Sequence, residues 1–474
     1  SVLALIGDGA LSGGLAYEGL NNAGASGEPL IVILNDNEMS IWKNVGGLSD
    51  YLSYIRTSES YFNFKTVLKH TLEKVPLVGD GMVAFARRFK DFFKRLTNSE
   101  TWFESFGLEY IGPVNGNDIK RLTAVLEEAK QKNGPVIVHM KTKKGFGYAP
   151  AEKYPERYHS TSPFELDDTK NILCRSPERT YTDAFSDIIC RKAGEDERVC
   201  AITAAMSKGC GLDMFRDMFP DRFFDVGIAE EHAVTMSAGL SLGKMKPVVV
   251  IYSTFAQRVF DQLSLQHIPL TLMLSHTGIV PGDGVTHQGV FDYALFSALP
   301  NVNIFDAYDE RTMEDEIDLS LASDKLTIIR YPKDNVMRDV CAEFPPNENC
   351  KDYTMWDIGE RAGKTIVTSG RLTTRILSLI QSSGVSGIRL IGLKKVYPIP
   401  DGAVELMGED IILIEENSQS GGIGEKLAAE LKLRGMKNEL KIKAVDDTEI
   451  PHGTLAELYS LTGFDDDSLL NLIK

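Results

Sequence analysis

The chain is poor in cysteine. It has six in 474 residues, and none forms a CxxC pair or keeps the spacing of a cysteine–histidine zinc site. Cys174, Cys190, Cys200, Cys210, Cys341 and Cys350 are therefore expected as reduced thiols of an intracellular, cytoplasmic protein. No apolar run reaches the ~18 residues that cross a bilayer, and no charged stretch leads into a short apolar one as in a secretory signal. Positive charge is in deficit too: 51 Lys and Arg stand against 67 Asp and Glu, a net charge of −16. General nucleic-acid binding wants a basic face, so neither nucleic acid nor membrane is expected as a partner. There is no short-period repeat. What remains is an ordinary globular composition, with 43% hydrophobic and 25% charged residues.

At ~150 residues per domain the length predicts about three domains. Short apolar runs alternate with amphipathic segments, the signature of α/β folds. VLALI, LIVILN and VIVHMKTK are expected strands, with helices in LAYEGLNNAG and IKRLTAVLEEAKQK. A second series comprises VCAITAA, FFDVGIA, PVVVIYSTF, LTLMLSH, VNIFDA and LTIIRYP; a third comprises KTIVTSG, IRLIGLKK, DIILIEEN and LKIKAVD. Polar stretches at 160–178 and 340–362 are expected linkers. The reading is three consecutive parallel-sheet α/β domains, at 1–160, 179–340 and 360–474. Residues 40–104 interrupt the first as an insertion. Within it, AFARRFKDFFKRL (84–96) carries a helical stripe of Phe85, Phe89, Phe92, Phe93 and Leu96 between basic residues. A helix packed on its own domain is the preferred reading, and a membrane-surface helix the alternative.

The chain opens on SVLALIGDGALSGG. A buried strand runs into Gly7-Asp8-Gly9 and then a small-residue helix start. Twenty-five residues separate Gly9 from Asn35-Asp36-Asn37 in LIVILNDNEMS. That is one strand–helix–strand unit, so Asp8 and Asn37 leave the carboxyl ends of two parallel strands, the edge where open α/β sheets bind ligands. A carboxylate, an amide oxygen and a backbone carbonyl make a hard oxygen set, suited to Mg²⁺ or Ca²⁺ on a diphosphate. The glycines let backbone N–H groups approach phosphate oxygens. GDGALSGG is not the GxGxxG of dinucleotide sites.

GDG-x25-NDN resembles the thiamine diphosphate motif of the transketolase superfamily. NDNEMSI, YIGPVNGND, KTKKGFGYAPAEK, FPDRFFDVGIAEEHAVTMSAGL, IYSTFAQRVFDQ and GDGVTHQGVFD resemble the 1-deoxy-D-xylulose-5-phosphate synthase family more closely, in order along the whole chain. The resemblance implies thiamine diphosphate and Mg²⁺ as cofactors, with Asp8, Asn37 and the Met39 carbonyl on the metal. Gly9 and Ala10 line the diphosphate and thiazolium region, Tyr148 contacts the cofactor, Glu230 bonds the aminopyrimidine ring and Phe255 stacks on it. Glu230 is then the acid–base group, with His159 and His287 as further catalytic candidates. Tyr252, Arg258, Asp283 and His287 are expected around pyruvate and the acceptor, glyceraldehyde 3-phosphate. His232 stands between a catalytic and a packed role, while His70, His139, His267 and His452 are taken as structural. Family members form homodimers. They also carry a stretch ahead of the GDG strand, so Ser1 is expected to stand in mid-strand with that stretch missing.

Two departures bear on the acceptor. Ser275-His276-Thr277-Gly278 stands where the family shows D-R-A-G, and Arg330-Tyr331-Pro332-Lys333 where it shows R-Y-P-R. The family arginines are expected to grip the acceptor phosphate, so His276 and Lys333 exchange two fixed forks for a titratable ring and a point charge. Pro281 replaces a usual glycine beside them. A paralogue or transketolase with another acceptor is the alternative enzyme. A non-catalytic fragment or partner chain is the alternative of another class, opposed by the intact Asp8, Asn37 and Glu230.

Overall fold

The computed structural model describes residues 2–39, 44–57, 101–156, 158–159, 165–166, 172–173, 178–266, 268–359, 363–446 and 449–474. The 84–96 stripe, His70 and His267 lie outside these residues.

The chain divides into two compact units, Ser1–Cys174 with Gly227–Ala229, and Arg175–Val226 with Glu230–Lys474. In the first, β1 (Val2–Gly7), β2 (Leu30–Asp36), β3 (Glu109–Asn115) and β4 (Val136–Lys141) form a parallel sheet in the order β1-β2-β4-β3. The longer helices here are α1 (Gly14–Ser26), α2 (Gly47–Thr57) and α3 (Ile119–Ala129). Gly27 ends α1 at φ 65, a left-handed cap that glycine takes without strain. Asp118 caps α3 by accepting from the Arg121 N–H. Strand residues alternate between two apolar clusters. Val32, Leu34 and Ile137 pack with Leu11, Leu20 and Phe103, whereas Ile31, Val136 and Val138 pack with Val114 and Val125. β2 and β4 are covered on both faces, which explains their near-continuous apolar runs, whereas β1, expected as a buried strand, leaves Val2, Leu3 and Leu5 exposed at the sheet edge.

The second unit carries two sheets. Its strands are β5 (Val199–Thr203), β6 (Phe223–Asp225), β7 (Lys246–Tyr252), β8 (Leu270–Ser275), β9 (Asn303–Asp306), β10 (Leu326–Tyr331), β11 (Glu348–Asn349), β12 (Tyr353–Ile358), β13 (Lys364–Ser369), β14 (Ile388–Leu393), β15 (Lys395–Tyr397), β16 (Asp410–Ser418) and β17 (Glu439–Val445). Their orders are β15-β9-β10-β8-β7-β5-β6 and β11-β12-β14-β13-β16-β17. The helices used below are α4 (Tyr181–Glu195), α5 (Glu230–Leu242), α6 (Glu310–Leu321), α7 (Arg371–Ser383) and α8 (Ile423–Leu433). The centre of each sheet is parallel. The edges β11, β12 and β15 pair antiparallel, which a purely parallel reading does not include.

The stretch 340–362 is also more than a linker. Tyr353–Ile358 pairs along its length with β14, so the third sheet begins before residue 360. One apolar cluster joins the two sheets, from Phe185 and Val250 through Met273 to Val367, Leu413 and Ile423.

Buried charges cross the same boundary. Arg330 pairs with Asp292 (2.9 Å) and Asp306 (2.8 Å), and its guanidinium lies 3.8 Å from the Tyr293 ring centre. Ser369 and Tyr293 donate to Asp306, and the Asn417 amide donates to Asp292. Breaking such a network leaves a buried charge alone, so it fixes the arrangement more than it stabilises it.

Candidate active site

The first cluster lies in the first unit. Asp8 follows β1 and is 4% exposed. Its Oδ1 accepts from the Gly9 N–H (3.1 Å) and its Oδ2 from the Asn37 N–H (3.2 Å), while the Asp8 N–H donates to the Asn35 carbonyl. The ends of two neighbouring strands are thereby tied together, as the spacing predicts. Glu38 takes φ 68, an uncommon conformation for a residue with a side chain, and this turns the Met39 N–H onto Asn37 Oδ1 at 3.1 Å. The Asn37 oxygen keeps its second lone pair.

Burial foremost, and then the hydrogen bond and charge of Asp36, raise the Asp8 carboxyl to about 6. Asp36 behaves oppositely. Burial works against its charge, but His139 (2.8 Å) and Arg56 (2.5 Å) outweigh burial and hold it far below the usual range. Tyr110 bonds the other ring nitrogen of His139 at 2.8 Å, so His139 is a fully buried structural histidine. Arg56 also reaches Glu38 at 2.9 Å and so braces the turn from outside.

Lys144 was not singled out by sequence, yet its charge interacts with Asp8. Burial lowers its pKa, and Asp8 opposes that shift. His159 neighbours Lys144; burial and the Lys144 charge lower its pKa. Tyr148 is 36% exposed, at the end of a turn in which Gly145 (φ 78) leaves no room for a Cβ against Ala151. Ala10 opens a short 3-10 turn, and Gly9, before it, is buried.

The second cluster lies in the second unit. Glu230 begins α5 and is 3% exposed, and its Oε2 accepts from Arg258 Nη1 at 2.7 Å. Burial raises its carboxyl pKa; its own N–H and Arg258 oppose this, and Glu231 adds to it. Arg258 also reaches Glu231 at 3.1 Å, so its guanidinium is committed to two carboxylates.

Tyr252 ends β7 and Phe255 follows in a 3-10 turn; their rings stack at 5.7 Å. His276 stacks on Tyr252 at 3.9 Å and 23°, and His287 stands edge-on to Phe255 at 5.2 Å. The Tyr252 hydroxyl sits where a side chain at Gly209 would begin, which requires glycine there. His276 is 6% exposed, takes φ 57 and meets Ser275 Oγ at 2.7 Å. Burial first, with Lys333 and His287, lowers it to about 3 against the pull of Asp283. It is therefore a neutral, stacked ring and carries no charge for a phosphate. Lys333 is paired with Asp283 at 2.5 Å. His232 is exposed on α5, and His452 is exposed beside the Gly284 turn.

Among the described residues no group of three His, Cys, Asp or Glu side chains could hold a metal, and no helix is long and apolar enough to cross a membrane. The Asp8 turn offers a different donor set. It has one buried carboxylate, one amide oxygen with a free lone pair and a backbone carbonyl, with the Asp8 charge opposed by Asp36. A divalent cation fits this need, completing its shell with water and phosphate oxygens.

Residues 1–142 match the family model described as 1-deoxy-D-xylulose-5-phosphate synthase, and residues 178–338 match the transketolase pyrimidine binding domain. The chain is 38% identical over 483 residues to the 1-deoxy-D-xylulose-5-phosphate synthase of Natranaerobius thermophilus, covering 100% of this chain and 76% of that protein. It is 37% identical over 485 residues to the enzyme of the same name from Clostridium kluyveri, with 100% and 76% covered. Among solved structures it is similar to the transketolase of Campylobacter jejuni, at a TM-score of 0.53 and 16% identity over 100% of this chain and 77% of that one. That likeness speaks to the fold alone.

Proposed function

The chain belongs to the 1-deoxy-D-xylulose-5-phosphate synthase family, and from that premise we propose that it is a thiamine diphosphate-dependent transferase acting on pyruvate and glyceraldehyde 3-phosphate. One pyruvate, one glyceraldehyde 3-phosphate and one proton become 1-deoxy-D-xylulose 5-phosphate and CO₂. The product feeds isoprenoid, thiamine and pyridoxal biosynthesis. Bound thiamine diphosphate supplies the nucleophilic carbon on which pyruvate loses CO₂.

Each unit's own residues have a part in binding, orienting or moving protons. Asp8, the Asn37 side-chain oxygen and the Met39 carbonyl would hold Mg²⁺ on the diphosphate. Gly9 and Ala10 let the backbone approach it, and Lys144 adds positive charge from the Asp8 side. Glu230 keeps Oε2 on Arg258 and offers its carboxyl to hold a proton for the aminopyrimidine ring. Burial keeps that carboxyl basic enough to take the proton back. Phe255 offers the ring a flat apolar face, and Tyr148 contacts the cofactor. Tyr252, Asp283, His287 and Lys333 line the acceptor side, where His287 moves a proton and His276 packs Tyr252 in place. His159 is a further proton carrier beside Lys144.

The three sheets act as three transketolase-type domains, the third starting at β11. The reading includes a cytoplasmic homodimer, supported by family resemblance alone. The observation that carries the reading is the buried Asp8 carboxylate bridging the ends of β1 and β2 beside the Asn37 oxygen. The test incubates the chain with thiamine diphosphate, Mg²⁺, ¹³C-labelled pyruvate and glyceraldehyde 3-phosphate, followed by NMR. Labelled 1-deoxy-D-xylulose 5-phosphate and CO₂ should appear together. Pyruvate consumed with a different aldehyde, but not with this one, would overturn the acceptor assignment.

A further inference from the structure

Tyr252, His287 and Lys333 stand on three segments of the second unit, and one buried carboxylate ties these segments together. Asp292 opens a short helix, Asp292–Phe296, and is 3% exposed. Its Oδ2 accepts from the Ser253 hydroxyl and from Arg330 Nε, both at 2.9 Å. Its Oδ1 accepts from the Tyr293 N–H (2.9 Å) and from the Asn417 amide (2.7 Å). Ser253 directly follows Tyr252, and Arg330 stands three residues before Lys333. His287 precedes Asp292 by five residues and is fastened to the Tyr252 segment as well. The Thr254 hydroxyl donates to the Thr286 carbonyl (3.0 Å), and Thr286 Oγ1 meets His287 Nδ1 at 2.9 Å.

Asn417 comes from elsewhere, the end of β16 in the third sheet. It is fully buried, its NH₂ group donates to Asp292, and among the described residues its side-chain oxygen has no hydrogen-bond partner. An unmet buried oxygen carries its desolvation cost in full, so stability alone does not account for an asparagine here. A local exception of this kind marks a functional constraint. The next residue adds a second hold, since the Ser418 N–H donates to the Val290 carbonyl at 2.7 Å. The end of β16 thus grips the His287–Asp292 segment at two points.

We propose that Asp292 and Asn417 are positioning residues of the acceptor side, through which the third sheet sets where Tyr252, His287 and Lys333 stand. The inference rests on the acceptor-side reading given above. None of the four bonds to Asp292 involves Glu230 or Arg258. Loosening them should therefore be felt in acceptor binding and not in proton transfer at Glu230.

The test uses Ser253→Ala and Asn417→Ala in the full chain with thiamine diphosphate and Mg²⁺. Each removes one donor to Asp292 and leaves Arg330 to balance its charge. Each should raise the KM for glyceraldehyde 3-phosphate about tenfold. The pyruvate KM and hydrogen–deuterium exchange at the thiazolium C2 should stay at their wild-type values. The double variant should fall short of the product of the two single effects, because both act through one carboxylate. A second readout needs no substrate: in ¹⁵N-histidine spectra of the same chains, the ring signals of His276 and His287 should shift in both variants. The signal of His139, in the first unit, should not move. If the wild type uses a different aldehyde, the acceptor assignment fails, and the spectra still decide whether Asn417 and Ser253 position the two rings. If Asn417→Ala does not fold, Ser253→Ala decides alone. Unmoved His276 and His287 signals, an unchanged acceptor KM with lowered stability only, or an equal loss of C2 exchange would overturn the proposal and leave Asp292 a purely structural acid.

Discussion

Replacing His276 by phenylalanine should remove an acid-sensitive contribution to the stability of the second unit. The ring lies flat on Tyr252, 6% exposed, and burial foremost lowers its pKa from 6.5 to about 3. A depressed imidazole stays neutral in the folded protein, while the unfolded chain takes up a proton below 6.5. The unfolded state then binds more protons between those values, so the contribution is complete above about pH 6.5 and fades as pH falls. The slope is ~1.36 kcal/mol per pH unit, or ~2 kcal/mol by about pH 5. Phenylalanine keeps the stack but loses the 2.7 Å bond with Ser275, at a cost of ~1 kcal/mol. The variant should therefore be the weaker protein near pH 7 and the stronger one near pH 5. Urea unfolding of both proteins between about pH 7.5 and about pH 5 reads this directly. Trp356, a buried tryptophan of the second unit, serves as fluorescent reporter. Parallel stability–pH curves for the two proteins would refute the reasoning, because the imidazole would then titrate alike folded and unfolded.

Glu230→Ala should retain thiamine diphosphate but slow hydrogen–deuterium exchange at the cofactor's thiazolium C2 by ~10²–10⁴-fold; exchange at the wild-type rate would remove Glu230 from proton transfer. Asp283→Asn should release Lys333 from its ion pair and lower the KM for glyceraldehyde 3-phosphate by about tenfold relative to unphosphorylated glyceraldehyde, while the pyruvate KM stays put. An unchanged ratio would show that Lys333 does not meet the phosphate. Arg330→Met should cost ~3–5 kcal/mol in urea unfolding by stranding Asp292 and Asp306, and adding Asp292→Asn and Asp306→Asn should recover part of it.

The parallel strands were legible because strands covered on both faces keep unbroken apolar runs, as LIVIL, VVVIY and LTLML do. The strand Tyr353–Ile358 was hidden, since lysines and acids flank it and it pairs antiparallel with both of its neighbours. EYIGPVN passed unread as β3 because a proline interrupts the run. Asp8 and Asn37 were readable together because one strand–helix–strand unit sets their separation. The brace behind them was not readable: Asp36, Arg56, His139 and Tyr110 come from four elements, and only folding brings them within hydrogen-bond reach. Lys144 was lost among neighbouring lysines, and Glu316 among neighbouring acids, since composition does not tell which member of a charged run faces inward.

The most direct measurement is a titration of thiamine diphosphate onto the wild-type chain and onto Asp8→Asn, each with Mg²⁺ and with the metal removed by chelation. Saturable binding should appear only in the wild type with Mg²⁺, and Asp8→Asn should unfold normally but lose that binding. Equal affinity in Asp8→Asn, or wild-type binding indifferent to the metal, would contradict a diphosphate held through a cation at the Asp8–Asn37 turn.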